Sequence, residues 1–189
     1  MSDQTESSDG QHDGGGLKDT MNKASDMVGG MVGMASAATA GAHNSAAFVA
    51  NAAVGDLYEI QAGRLAAQRA ESEAVRHFAV MMVEHHTTSM HQMQSALLTR
   101  EVRDALPNLQ PVAELDHRRQ GMLKHLDEAP ADGFDQRYLE QQRMAHQETA
   151  TLLRGYLDHG ENPQLRSVAL GALPMVERHA KMLGRIGAH

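Results

Sequence analysis

Four long segments of this chain place apolar side chains at three- and four-residue intervals, and this spacing constrains the fold more than any other feature. The segments cover about residues 45–70, 72–99, 134–159 and 163–186. Only a few residues separate the first segment from the second and the third from the fourth. Each pair is therefore expected to form an antiparallel helical hairpin, and the chain is expected to be all-α.

The link between the two hairpins is much longer. Residues 101–132 contain prolines that break the helical pattern, followed by a short charged helix predicted over residues 112–126. Two hairpins joined by one long crossover make a ferritin-like antiparallel four-helix bundle. His117 and His125 of the crossover lie among charged residues, so we expect both side chains to face solvent.

The N-terminal part has a different composition. Residues 1–16 are polar and Gly-rich, which predicts a disordered, flexible tail. Residues 17–38 have helical apolar spacing but contain three glycines, which favours a marginal amphipathic helix docked on the bundle. The expected division is thus 1–43, tail and marginal helix, and 44–189, the ferritin-like bundle. One alternative is a membrane-surface helix over residues 17–38, which is disfavoured because the segment contains only two lysines to bind an anionic membrane. Another is a helix–helix contact through Gly29 and Gly33.

Composition excludes several classes of function. A formal net charge of −7 argues against a nucleic-acid binder. The chain contains no Cys, so disulfides and thiolate metal sites are excluded and metal ligands must be His, Asp, Glu or Met. No signal peptide or membrane span is visible, so a cytoplasmic location is expected. Assembly into a homo-oligomer is compatible with the sequence.

One ionisable side chain lies near the middle of each apolar stripe, namely Glu59, His86, His146 and His179. Such a group is costly in a bundle core unless it is paired or binds a metal. Helical rise, at about 1.5 Å per residue, places all four near the bundle mid-plane. Three imidazoles and one carboxylate suit a divalent transition metal, whether Zn, Fe, Mn or Cu. The sequence therefore predicts a single Glu/His3 metal site.

Three further residues are candidates to support this site. Tyr138 and Glu148 are expected near it because a ligating His donates its second N–H to an acceptor. His85, next to His86, is either an additional contact of the site or a surface residue. Four protein ligands would make a closed site, which favours a structural role over an enzymatic one.

Three other functions are compatible with these residues. The first is a metal-free bundle with a structural or stress-related role, in which Glu59 and the imidazoles form a buried hydrogen-bond network. The second is a copper or iron redox enzyme, suggested by the Met- and His-rich stretch of residues 81–93, although Met at helical spacing is more often core filler. The third is an interaction module tethered through the N-terminal segment.

Each of the four predicted helices contains residues that follow the pattern of one protein family. These residues are Phe48–Ala67 in the first helix, Val75–Ala79 and Met82–Thr87 in the second, Phe134, Asp135, Tyr138 and His146–Glu148 in the third, and Leu173, Pro174 and His179 in the fourth. Together they resemble a bacterial ferritin-like family catalogued as domain of unknown function 4142, whose members are often labelled "predicted outer membrane protein". The resemblance covers residues 48–186 and implies a ferritin-like bundle but little about activity. His85 stands where the family usually has an acidic residue, and the secretory signal of many members is missing.

Di-iron ferritins place a carboxylate three residues before each ligating His. Here those positions hold Val83, Arg143 and Val176. Because none is acidic, ferroxidase chemistry is not expected.

Overall fold

The computed structural model describes residues 13–109 and 114–186, and every regular element in these ranges is a helix. The prediction of an all-α bundle with a helix-containing crossover is confirmed. The predicted tail, residues 1–12, lies outside the described residues. The helices are α1 (Asp13–Ala38), α2 (Ala40–His43), α3 (Ser45–Arg69), α4 (Glu73–Leu97), α5 (Arg100–Ala105), α6 (His117–Asp127), α7 (Ala131–His159) and α8 (Pro163–Ile186).

Short, well-anchored turns form the two hairpins, α3–α4 and α7–α8. Asn44 caps α3, since its side chain accepts a hydrogen bond from the Ala47 N–H at 2.9 Å. In the connection between α3 and α4, the Glu71 and Ser72 N–H groups donate to the Asp135 carboxylate at 3.1 and 2.8 Å. Because Asp135 belongs to α7, this contact ties one hairpin to the other at the same end of the bundle.

The bundle core consists of two apolar clusters separated by a polar layer. The first cluster includes Tyr58, Phe78, Met82, Tyr138 and Leu183. The second includes residues from the opposite half of the same helices, among them Phe48, Met93, Leu153 and Val176. On α4, α7 and α8, one buried histidine lies between the residues of the two clusters. The fold therefore places the three imidazoles at one depth.

Helix α1 lies along α7 and contacts the bundle through buried polar groups. The Asp26 carboxylate accepts from Gln141 Nε2 at 2.6 Å and pairs with His125 Nδ1 at 2.7 Å. Gln141 in turn accepts from the Tyr58 hydroxyl at 2.8 Å. The expectation that His125 faces solvent was wrong, because α1 covers this side of α6.

The glycines of α1 permit its close approach to the bundle. A β-carbon at Gly33 would overlap the Glu148 carboxylate, and one at Gly30 would lie 3.2 Å from Met144 Sδ. The Gly29–Gly33 stretch therefore makes a contact within the chain. The predicted domain boundary between residues 43 and 44 stays a prediction. Within the described residues, each helix is too short or too polar to cross a bilayer.

Two glycine substitutions test how tightly α3 and α4 pack. At Gly63, a β-carbon would lie 2.9 Å from the Ala79 carbonyl oxygen and 3.0 Å from Val83 Cγ2. We expect Gly63→Ala to lower the free energy of unfolding by about 1–3 kcal/mol despite its better helix propensity. The control is Gly171→Ala on α8, where the added methyl group meets nothing within 4 Å.

That control should instead stabilise the protein by about 0.5–1 kcal/mol, because alanine loses less backbone entropy than glycine. Urea unfolding curves of the three proteins measure both effects. Equal stabilisation by the two substitutions would contradict the close α3–α4 contact.

Candidate metal centre

Three histidines meet in the polar layer of the bundle. His86 of α4, His146 of α7 and His179 of α8 each direct one ring nitrogen into a group whose members lie within 4.8 Å of one another. All three residues are at most 1% exposed. Within the described residues, this is the group of three or more His, Asp or Glu side chains that lie close enough together to hold one metal ion.

His86 is oriented by a buried carboxylate. Its Nδ1 donates to Asp56 Oδ1 of α3 at 2.8 Å, so in the neutral ring the proton is on Nδ1 and Nε2 carries the lone pair. Burial lowers the pKa of His86, but the hydrogen bond and the charge of Asp56 outweigh burial and raise it overall. His86 Nε2 is fully buried and has no hydrogen-bond partner among the described residues.

His146 is oriented by its own helix. Its Nδ1 donates to the Gln142 carbonyl oxygen at 2.9 Å, which leaves the lone pair on Nε2. Burial, with a smaller contribution from His86, lowers the pKa of His146 to about 3. The ring is therefore neutral at physiological pH, the form that binds a metal ion.

His179 is placed between two other imidazoles. Its Nδ1 lies 3.1 Å from His146 Nε2, and its Nε2 lies 2.8 Å from His85 Nδ1. Burial lowers its pKa to about 2, and the neighbouring imidazoles add to this effect. A neutral ring carries one proton, so His179 donates either to His146 or to His85. In the second case its Nδ1 lone pair faces the lone pairs of His86 and His146.

These nitrogens fit a transition-metal ion. With metal–nitrogen bonds of about 2.0–2.1 Å, ligand nitrogens lie roughly 3–3.5 Å apart. The spacing of 3.1 Å between His146 and His179 is already in this range. In the neutral ring, His86 Nε2 supplies a buried lone pair that has no partner among the described residues. Each ring also donates or can donate its second N–H, as metal-bound imidazoles usually do.

The structure does not bring the fourth predicted ligand, Glu59, into this group. Its Oε2 accepts from Gln142 Nε2 at 2.6 Å, and its Oε1 lies 3.6 Å from His146 Nδ1. Glu59 therefore faces the Nδ1 edge of His146, whereas Nε2 faces the cluster. Depth along a helix predicted the right layer but could not predict which edge of the ring the carboxylate would meet.

Burial raises the pKa of Glu59 to about 7, although His86 and the hydrogen bond from Gln142 act in the opposite direction. Tyr138 lies in the same buried region, and its hydroxyl has no hydrogen-bond partner among the described residues. Burial and the nearby Glu59 raise the pKa of Tyr138 well above its usual value. The tyrosine is thus neutral and does not hydrogen-bond to the three imidazoles.

Glu148 does not support the imidazoles as the sequence suggested. It accepts two hydrogen bonds from Arg118 at 2.8 Å and one from Arg119 at 2.7 Å. Glu148 follows His146 by two residues, which is roughly 200° around a helix, so it faces the opposite side of α7. It joins α7 to α6 beneath Gly33 of α1. His85, in contrast, touches His179 directly.

Asp56 is the supporting residue that sequence reasoning missed. It precedes Glu59 by three residues and therefore lies on nearly the same face of α3. An acidic residue one turn from another on an apolar stripe is itself unexpected in a core. This repetition is the signal that could have identified it.

A groove on the outer surface runs along α7 and α8 and reaches His146. Its volume is about 690 Å³. Its lining is basic, including Arg143, Arg154 and Lys181, with Glu177 paired to Arg154 at 2.6 Å. Of the three cluster histidines, only His146 lines this groove.

Comparison with known proteins gives one family. The chain matches the sequence model of a family described as a domain of unknown function (DUF4142) over residues 31–186. The match includes all three cluster histidines and Asp56. Searches among curated proteins and among solved structures found no match.

The arginine contacts of Glu148 lead to a test of its role. We expect Glu148→Gln to lower the free energy of unfolding by about 3–5 kcal/mol, because two guanidinium groups lose a buried carboxylate. The matched control is Glu177→Gln, which removes an exposed ion pair and should cost about 0–1 kcal/mol.

Urea unfolding measures the difference between the two variants. The metal content of folded Glu148→Gln should equal that of the wild type, since Glu148 touches none of the three imidazoles. Loss of bound metal without loss of stability would restore Glu148 as a support for the site.

Proposed function

The chain belongs to the DUF4142 family of domains of unknown function, and we propose that it binds one divalent transition-metal ion through His86, His146 and His179. The observation that carries this proposal is the buried Nε2 of His86, which has no hydrogen-bond partner among the described residues. Asp56 binds Nδ1 of the same ring and so directs Nε2 toward two neutral imidazoles, where a metal ion would replace any proton on it. An ion would accept all three lone pairs at once.

The cost of an unpaired buried atom favours a bound metal ion over a hydrogen-bond network without one. A buried polar atom without a partner costs roughly 1–3 kcal/mol. Hydrogen bonds among His85, His179, His146 and the Gln142 carbonyl satisfy three rings of the layer but leave His86 Nε2 alone. A metal ion accounts for His86 as well as for the other two rings.

The ligand set limits the kind of metal and the kind of site. Three neutral nitrogens without thiolate suit Zn, Fe, Mn or Cu, and they do not select among these metals. Three protein ligands leave at least one coordination position for water or another small ligand. The closed, four-ligand site expected from the sequence depended on Glu59, which faces another edge of His146.

A metal-free structural bundle is the second candidate, and a specific observation favours it. The contacts of 2.8 and 3.1 Å on either side of His179 form a continuous chain of hydrogen bonds when His179 donates to His146. That network would fix the register of α4, α7 and α8 without a ligand. Copper redox chemistry has less support, because Met82 and Met93 pack in the two apolar clusters.

Elemental analysis of protein purified without an affinity tag tests the proposal. We expect about one metal ion per wild-type chain and almost none in His146→Ala, because two imidazoles cannot retain the ion through purification. The matched control is His91→Ala, an exposed histidine on α4, which should keep the full content.

Circular dichroism should show that both variants remain helical. The proposal fails if the wild type contains no metal and its melting temperature is unchanged by Zn, Fe, Mn or Cu. That result would leave the hydrogen-bond network as the function of the layer.

Asp56 allows a second test that leaves all three ligands in place. We expect Asp56→Ala to weaken metal affinity by about 10–100-fold, since supporting carboxylates of ligating histidines have effects of this size. Asp104→Ala is the control, because Asp104 is exposed and, among the described residues, pairs only with Arg100. Competition with a chromogenic chelator measures both affinities, and equal affinities would contradict the role of Asp56.

A further inference from the structure

Helix α1 has its polar and apolar faces reversed relative to an ordinary surface helix. The face that packs on the bundle carries the buried carboxylate of Asp26 together with Gly30 and Gly33. The face that points away from the bundle carries large apolar side chains, each 59–66% exposed. These are Leu17, Met21, Met27, Val28, Met31 and Val32.

The apolar surface of α1 is concentrated in one place. Of the nine large hydrophobic side chains that are exposed among the described residues, six belong to this face. From Met27 to Ala42 the sequence contains no Asp, Glu, Lys or Arg. A contiguous uncharged patch of this kind marks an interaction site on a folded protein.

We propose that this outer face of α1 binds the same face of a second copy of the chain. The exposed positions that follow the helix are Leu17, Met21, Ala24, Val28, Met31 and Ala35. Their separations alternate between four and three residues, which is the spacing that packs two helices along a shared seam. The alanines leave room for the larger residues of the partner helix.

The available area matches the needs of a dimer. At roughly 100 Å² of exposed surface per side chain, the six large residues offer about 600 Å² in each copy, so a symmetric pair would bury about 1,200 Å². This area reaches the lower limit of stable interfaces. A twofold axis would also pair every residue of the patch with the same patch, so one face is sufficient.

Other occupants fit the chemistry less well. Residues 1–12 include a single apolar residue, Met1, so they cannot supply an apolar cover. An anionic membrane would require a cationic belt, but Lys18 and Lys23 are balanced by Asp19 and Asp26. Both lysines also form ion pairs, with Glu128 and Asp19.

The interior contacts of α1 prepare this face for association. Asp26 binds His125 and Gln141, and the guanidinium of Arg137 contacts both Asp19 and Asp26. These bonds fix the rotation of α1 about its own axis. The apolar face is therefore already oriented outward and loses little conformational freedom when it binds.

Sedimentation velocity of the full chain over a wide concentration range tests the proposal. The variant is Val28→Glu combined with Met31→Glu, and the control is Leu170→Glu combined with Leu98→Glu. The control places the same charges on exposed apolar positions of the bundle. We expect wild type and control to be dimers, and the α1 variant to dissociate with a Kd at least about 100-fold higher, because buried charges would oppose each other.

Circular dichroism should show equal helix content in all three proteins, because the substituted side chains are exposed. A monomeric wild type, or a dimer that survives the α1 substitutions, would overturn the proposal. A monomer that binds phosphatidylcholine vesicles through α1, with binding lost in the α1 variant, would also overturn it and make a lipid surface the occupant.

Discussion

The buried hydrogen bond between Asp56 and His86 is the interaction on which the account of this site depends. It holds the Nδ1 proton and leaves Nε2 without a partner among the described residues. The other two imidazoles lie close by, and they are neutral because burial disfavours their charged forms. One carboxylate on α3 thus directs Nε2 of His86 toward the ring nitrogens of the other two histidines.

The fold surrounds this layer with packed side chains on both sides. Apolar clusters lie above and below it, and each of α4, α7 and α8 contributes one histidine at the same depth. Bulky neighbours such as Phe78 hold the rings, with centroids 6.3 Å from His146 and 6.2 Å from His179. Rigid helices and packed side chains are the conditions under which a buried site keeps its geometry.

The sequence predicted much of this arrangement and missed identifiable parts of it. Periodicity, caps and short turns define the four helices, and counting residues from the turns placed Glu59, His86, His146 and His179 in one layer. Counting could not show that Glu59 meets the Nδ1 edge of His146, because that depends on rotamers and helix rotation. The sequence also did not predict that Glu148 faces the arginines of α6 or that His125 contacts Asp26. Both contacts depend on where α6 and α1 pack against the bundle. The sequence also could not show that the apolar face of α1 points outward, because it does not reveal that the face with Gly30 and Gly33 packs against α7.

The tautomer of His179 tests the central claim most directly. In the metal-free network its Nδ1 carries the proton and donates to His146, whereas metal binding requires the proton on Nε2, next to His85. Nitrogen-15 NMR of the imidazole rings, recorded before and after one equivalent of Zn(II), distinguishes the two forms. We predict that the proton of His179 moves from Nδ1 to Nε2 while the exposed His91 is unchanged. Retention of the Nδ1 proton on His179, with no change at His86 and His146, would contradict it.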